Sequence, residues 1–187
     1  FPGTSTAPSD SVGCMACSYQ FKTAVPAASQ PTGVRFRGTS ASDAIGIETH
    51  GTGEFRLYIG NAGANTTLVT TLVSAVIDAW YGIVIRWDLP NNKRKIEVYD
   101  ASNALIQAVE DTATNLSSFV PSEVNNVFGC GLKSGTNANQ TWADCFMVGD
   151  AYDEPLQNNL TKSSYTLYDG SLPAATNAVL MGQVWMQ

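Results

Sequence analysis

The stretch GDAYDEPL holds Asp150, Asp153 and Glu154 close together, and hard carboxylate oxygens at that density suit a Ca2+ ion. The simpler reading is an acidic turn that caps the helical piece suggested by YDEPLQNN. Four cysteines, Cys14, Cys17, Cys130 and Cys145, allow two disulfides, a zinc site or buried thiols. A zinc site built from all four thiolates fits poorly because only one C-x2-C spacing is present. If CMACSYQF is a strand, Cys14 and Cys17 point to opposite faces about 10 Å apart, which is too far to bridge. Cys130 and Cys145 would face one another if SGTNANQ turned a hairpin centred near Thr136 and Asn137, allowing one disulfide. Buried thiols remain the reading that best suits the residue type. His50, in ETHGTG, is the only histidine and lies beside an expected turn, where it reads as surface. No Gly-x-Ser-x-Gly elbow marks a serine nucleophile.

Sugar recognition needs an aromatic face against C–H groups, with Asp, Asn and backbone groups meeting the hydroxyls. Asp43, Asn61, Asn65, Asn137, Asn139 and Trp142 fall on expected loops or strand ends and are the candidates. Each Asn also has a plain explanation, because Asn tolerates left-handed backbone in turns. Trp142 opens a strand, a position from which the ring more often packs inward.

The elements that must position these residues are strands. Of 187 residues, 44% are apolar and only 14% charged, and 16 glycines and 8 prolines supply turns. That balance indicates an all-β chain. Net charge is −6, so no basic stripe is available for nucleic acid or an anionic membrane surface. No run of 18 apolar residues is present, so no membrane-spanning helix is expected. Residues 1–13, opening FPGTSTAPSDS, read as a linker-like lead of a processed or excised piece, and residues 14–187 as one domain.

Short alternating segments recur every 8 to 12 residues. Met15 to Thr23 is the first, followed by VRFRG. AIGIETH and FRLYIG flank GTG as a hairpin, and TTLVTTLVSAVID reads as one or two strands. WYGIVIRWD and KIEVYD form a second hairpin around LPNNKR, and ALIQAVED continues the meander. VNNVFGCGLK and TWADCFMVGD suggest a third hairpin, and NAVLMGQVWMQ a last strand. In WYGIVIRWD one face carries Tyr81, Ile83, Ile85 and Trp87, which fits a core face, while Trp80 is the ring expected to be exposed.

The hairpin WYGIVIRWDLPNNKRKIEVYD resembles one found in LamG-like jelly rolls of the concanavalin A-like lectin/glucanase superfamily. VFGCGLKSGTNANQTWADCFMVGDAYDEPL is similar to the late signature of that family, with Trp142, Asp144 and Pro155-Leu156 in the matching places. The resemblance covers roughly residues 14 to 157; Cys145 stands where the family often has a second acidic residue. It implies two curved antiparallel sheets, with glycans held on the concave face and rim loops, often with Ca2+. Glycanases on this fold place two carboxylates on one face of one strand, and no E-x-D-x-E run is present. Glu110-Asp111 point oppositely, and Asp150, Asp153 and Glu154 sit in a turn. The expected function is therefore non-catalytic recognition or adhesion, as a carbohydrate-binding module of a phage fibre, spike or capsid decoration. It would act on a virion surface or outside a cell. The expected partners are a glycan, virion or cell-surface proteins, or further copies of the chain. The alternative is an extracellular polysaccharide-active enzyme, a glycanase or lyase, on the same fold.

Overall fold

The computed structural model describes residues 11–21, 32–37, 44–50, 54–61, 64–70, 76–119, 127–132, 141–159 and 184–186. Their strands form two antiparallel sheets. The larger contains β1 (Val12–Phe21), β6 (Trp80–Asp88), β7 (Lys93–Tyr99), β8 (Leu105–Asp111), β10 (Thr141–Gly149) and β11 (Val184–Met186). Its order is β11-β10-β1-β6-β7-β8. The smaller sheet contains β2 (Thr32–Arg37), β3 (Ala44–His50), β4 (Glu54–Asn61), β5 (Ala64–Val69) and β9 (Val127–Leu132), in the order β5-β4-β3-β2-β9. This is the expected all-β jelly-roll sandwich.

Period-two alternation explains which side chains meet between the sheets. From the larger sheet come Met15, Cys17, Tyr19 and Phe21 of β1 and Tyr81, Ile83, Ile85 and Trp87 of β6. From the smaller come Ile45 and Ile47 of β3 and Phe55, Leu57 and Ile59 of β4. The rings at one end interlock: Tyr19 meets Phe21 edge-on at 5.2 Å, Phe21 stacks on Phe55 at 5.9 Å, and Phe55 lies 5.4 Å from Tyr81. Such pairs each add about 0.5–1.5 kcal/mol beyond area burial. At the other end the sheets are tied by a buried cation. Arg94 on β7 donates to Asp111 of β8, Thr66 of β5 and Thr114.

The turns follow their residue types. Asn92 closes the β6–β7 hairpin at φ 56°, a left-handed backbone that Asn tolerates, and its side-chain oxygen accepts from the Leu116 amide. Asp100 accepts from the Ser102 and Ala104 amides and holds the β7–β8 turn.

Three expectations need correction. Of the one or two strands read over Thr66 to Asp78, the first ends at Val69, residues 71–75 lie outside the described residues, and Asp78 sits in a turn at φ 66°. β1 starts at Val12, inside the stretch read as a lead, and Ser11 already accepts from the Leu89 amide. The third hairpin does not form: β9 pairs β2 in the smaller sheet, while β10 pairs β1 and β11 in the larger one. The connection crosses between sheets, so the geometry that set Cys130 opposite Cys145 is lost. Local alternation identifies a strand but carries no information about its partner.

Candidate functional site

A sandwich has two outer faces, and here they differ in character. On the larger sheet, Cys14, Ala16, Val84 and Tyr99 point outward and pack with Leu156 as a second, smaller cluster. The chain itself covers them: after β10 the segment 150–159, ending in a 3-10 turn at Leu156–Asn159, lies across β1 and β6. Arg86 holds it down. Only 5% exposed, Arg86 donates to Glu97 at 2.9 Å, to the carbonyls of Tyr152 and Glu154 at 2.8 and 2.6 Å, and to the Gln157 side chain at 3.0 Å. Lys95 completes the charge cluster 2.7 Å from Glu97. Burial raises the pKa of the Glu97 carboxyl, but the hydrogen bonds and charges of Lys95 and Arg86 outweigh it and leave the group below the ordinary range. Tyr152 is engaged on both sides, with its hydroxyl donating to Glu110 and Lys93 lying 5.7 Å over its ring.

The acidic turn is part of this strap. Asp150 and Asp153 are exposed, whereas Glu154 is half-buried and turned onto Gly149. A side-chain carbon added at Gly149 would press on the Glu154 carboxylate and lie 2.7 Å from the Cys14 sulfur. Burial pushes the Cys14 thiol up to about 11, opposed by the Arg86 charge and reinforced by Glu154. Among the described residues no three His, Cys, Asp or Glu side chains gather as a metal-holding group.

The outer face of the smaller sheet carries the more informative pattern. Strand register sets Ile45 and Ile47 of β3 opposite Ile59 and Leu57 of β4 on the core side, which leaves Ala44, Gly46 and Glu48 opposite Gly60, Tyr58 and Arg56 on the outer side. The same rows extend to Gly33 and Arg35 of β2, opposite Glu48 and Gly46, and to Gly131 and Gly129 of β9. Polar positions therefore alternate with glycine across the sheet. Glu48 and Tyr58 are each only 4% exposed although they lie away from the core. Arg56 pairs with Glu54 at 2.9 Å, and its Nε is buried with no hydrogen-bond partner among the described residues. A buried polar group outside the core is a sharper signal than an exposed one. Chemically the set holds a carboxylate acceptor, a guanidinium donor and a phenol beside Gly46 and Gly60, which are themselves buried.

Those of the residues singled out from sequence that are described do not come together in one site. Asp43, Asn137 and Asn139 lie outside the described residues. Asn61 ends β4 opposite Ala64, and Asn65 is exposed on the edge strand β5 opposite Gly60. Trp142 pairs with Gln20 and Trp185 on β10. That is the end of the sandwich where Phe21 stacks on Phe55, whereas Asn61 is six residues farther along β4, about 20 Å away. Trp80, expected to be exposed, is half-buried, and His50 ends β3 opposite Glu54. Glu48, Arg56 and Tyr58 lie within strands and not on the loops where sugar contacts are expected. Their signal was present in AIGIETH and EFRLYIG, where Glu, Arg, Tyr and Gly alternate with Ile, Leu and Phe.

No protein-family model and no curated protein matches the sequence. Solved structures share its fold. The binding domain of botulinum neurotoxin DC in complex with rat synaptotagmin II superposes with a TM-score of 0.52 at 10% identity, over 77% of this chain and 33% of that one. A structure concerned with botulinum neurotoxin type C and two ganglioside molecules gives 0.49 at 11% identity, over 80% and 35%. The CBM40 of the Ruminococcus gnavus IT-sialidase bound to alpha2,3 sialyllactose gives 0.43 at 17% identity, over 67% and 64%. This chain thus spans about a third of the neurotoxin chains. At these identities the likeness is one of fold.

Proposed function

We propose that this chain is a non-catalytic carbohydrate-binding domain whose sugar site is the outer face of the smaller sheet, across β3 and β4. The observation that carries the reading is the burial of Glu48 and Tyr58 beside Arg56, on the side away from the core, with Gly46 and Gly60 between them. Carboxylate and guanidinium groups make paired hydrogen bonds to sugar hydroxyls. The sandwich shared with a neurotoxin binding domain is compatible with recognition, and so is the resemblance to LamG-like jelly rolls. The same resemblance motivates a surface role outside a cell, on a phage fibre, spike or capsid decoration.

The test is a glycan array probed with the full chain, followed by titration of any hit with Tyr58→Phe and Arg56→Gln. Each variant removes hydrogen-bonding groups without emptying the site. A loss of about fivefold or more in affinity is expected for each, at the roughly 1 kcal/mol of one net hydrogen bond. Variants that bind a hit as tightly as the wild type would remove the site from this face. Release of oligosaccharides from a polymer would replace the reading with that of a polysaccharide-active enzyme.

A further inference from the structure

β1 and β10 are neighbours, and their register is interrupted once. Ala16 pairs with Met147 and Ser18 with Asp144, so Cys17 alone on β1 stands opposite both Cys145 and Phe146. This is a β-bulge on β10, in which two residues oppose one. Ala16 and Met147 belong to the outer cluster, whereas Cys17 belongs to the inter-sheet core. The register therefore sets Cys145 across from a core-facing cysteine.

We propose that Cys17 and Cys145 close into a cross-strand disulfide that joins β1 to β10 at the bulge. Cys14 and Cys17 are both buried, and the bond belongs to the oxidised form of the chain. Opposed residues of an antiparallel pair have Cα atoms about 4.5–5.5 Å apart, inside the roughly 4.4–6.8 Å that a disulfide spans. The competing pairs fit worse. Cys14 lies on the opposite face of β1, in the cluster under the strap. Cys130 is on β9 in the other sheet, and packed sheets are about 10 Å apart. Cys17 is fully buried in the folded chain, so the bond forms during folding, before the core closes over it. One thiolate attacks oxidised glutathione, forming a mixed disulfide and releasing one glutathione thiolate. The second protein thiolate then attacks the protein sulfur of that mixed disulfide and releases the other. Two protons leave the protein, and glutathione disulfide takes up two electrons.

The experiment is to unfold and reduce the full chain, refold it in a glutathione redox buffer, and map its disulfides by mass spectrometry of an unreduced digest. The expected product is one linked peptide pair carrying Cys17 and Cys145, lighter by two hydrogens than the separate peptides, with Cys14 and Cys130 alkylated. The linked pair should persist in Cys14→Ala and Cys130→Ala. Reductant should lower the Tm of wild type but not of Cys145→Ala. A Cys130–Cys145 or Cys17–Cys130 bridge, or four alkylated cysteines in folded wild type, would overturn the assignment. The wild-type map decides by itself, so a variant that fails to fold does not leave the question open.

Discussion

Arg86→Met tests whether the strap over β1 and β6 is held by one buried cation. The methionine keeps the stem packed against the sheet and removes the guanidinium, so four donated hydrogen bonds are lost at once. Two of the acceptors are main-chain carbonyls of the strap: that of Tyr152 must then find water or remain unpaired, whereas that of Glu154 keeps the Leu156 amide. Glu97 keeps Lys95 at 2.7 Å but loses its more buried partner; the Glu97 side chain is only 9% exposed. Breaking a buried ion pair by removing one partner costs about 3–5 kcal/mol, because the remaining charge stays desolvated. Lys95 offsets part of this and the stranded Tyr152 carbonyl adds to it, so about 3–5 kcal/mol is the expected loss. That is a large share of the roughly 5–15 kcal/mol typical of a folded domain. Urea unfolding of the full chain measures it as a fall in midpoint at unchanged slope. Hydrogen exchange locates it: the Leu156 amide, which donates to Glu154, should lose protection before the amides of β6 do. A loss below about 1 kcal/mol with the Leu156 amide still protected would refute the argument, because it would mean that apolar contacts of Leu156 hold the strap without Arg86.

Trp87, 1% exposed in the inter-sheet core, should lose about 3–5 kcal/mol on Trp87→Ala in the same urea assay; a loss near zero would take it out of the core. Asp111 accepts from Thr114, Ala113 and Arg94, with the Thr114 hydroxyl the largest influence, and these bonds hold its carboxyl well below the usual range. Glu97 is also held low. Groups with depressed folded-state pKa values contribute stability that is complete above the ordinary carboxylate range and is lost as pH falls through the folded values. Asp111→Asn should therefore lower stability at neutral pH and flatten its decline below about pH 4; an unchanged acid limb in pH-dependent unfolding would show the network to be inert. Cys14, with its thiol raised to about 11 by burial, should resist iodoacetamide at about pH 8 in the native chain and react once unfolded. Equal labelling rates in the two states, followed by mass spectrometry, would contradict its position beneath the strap.

The strands were largely legible because alternation is local. WYGIVIRWD places Tyr81, Ile83, Ile85 and Trp87 on one face, and that face is the core. KIEVYD pairs with it in the expected hairpin, as FRLYIG does with AIGIETH. Opposite orientation of Cys14 and Cys17 also follows from period two, and they fall in separate clusters. The reading failed where chain separation is long. SGTNANQ carries turn residues whether it joins strands of one sheet or crosses to another, so the partnership of β10 with β1, at the far end of the chain, could not be read from it. The polar face of β3 and β4 was missed for a different reason. Alternating polar residues on a strand read as solvent-exposed, and only the packed chain shows Glu48 and Tyr58 to be buried there.

Composition and local period thus determined an all-β sandwich and the core face of each clear strand. Tertiary structure decided which strands are neighbours, that Arg86 pins the acidic strap to the larger sheet, and that Cys17 stands opposite Cys145 across a bulge. The division has one physical cause. Facing direction along a strand is fixed by the geometry of adjacent peptide units, whereas strand order is chosen by the free energy of burying distant segments against one another.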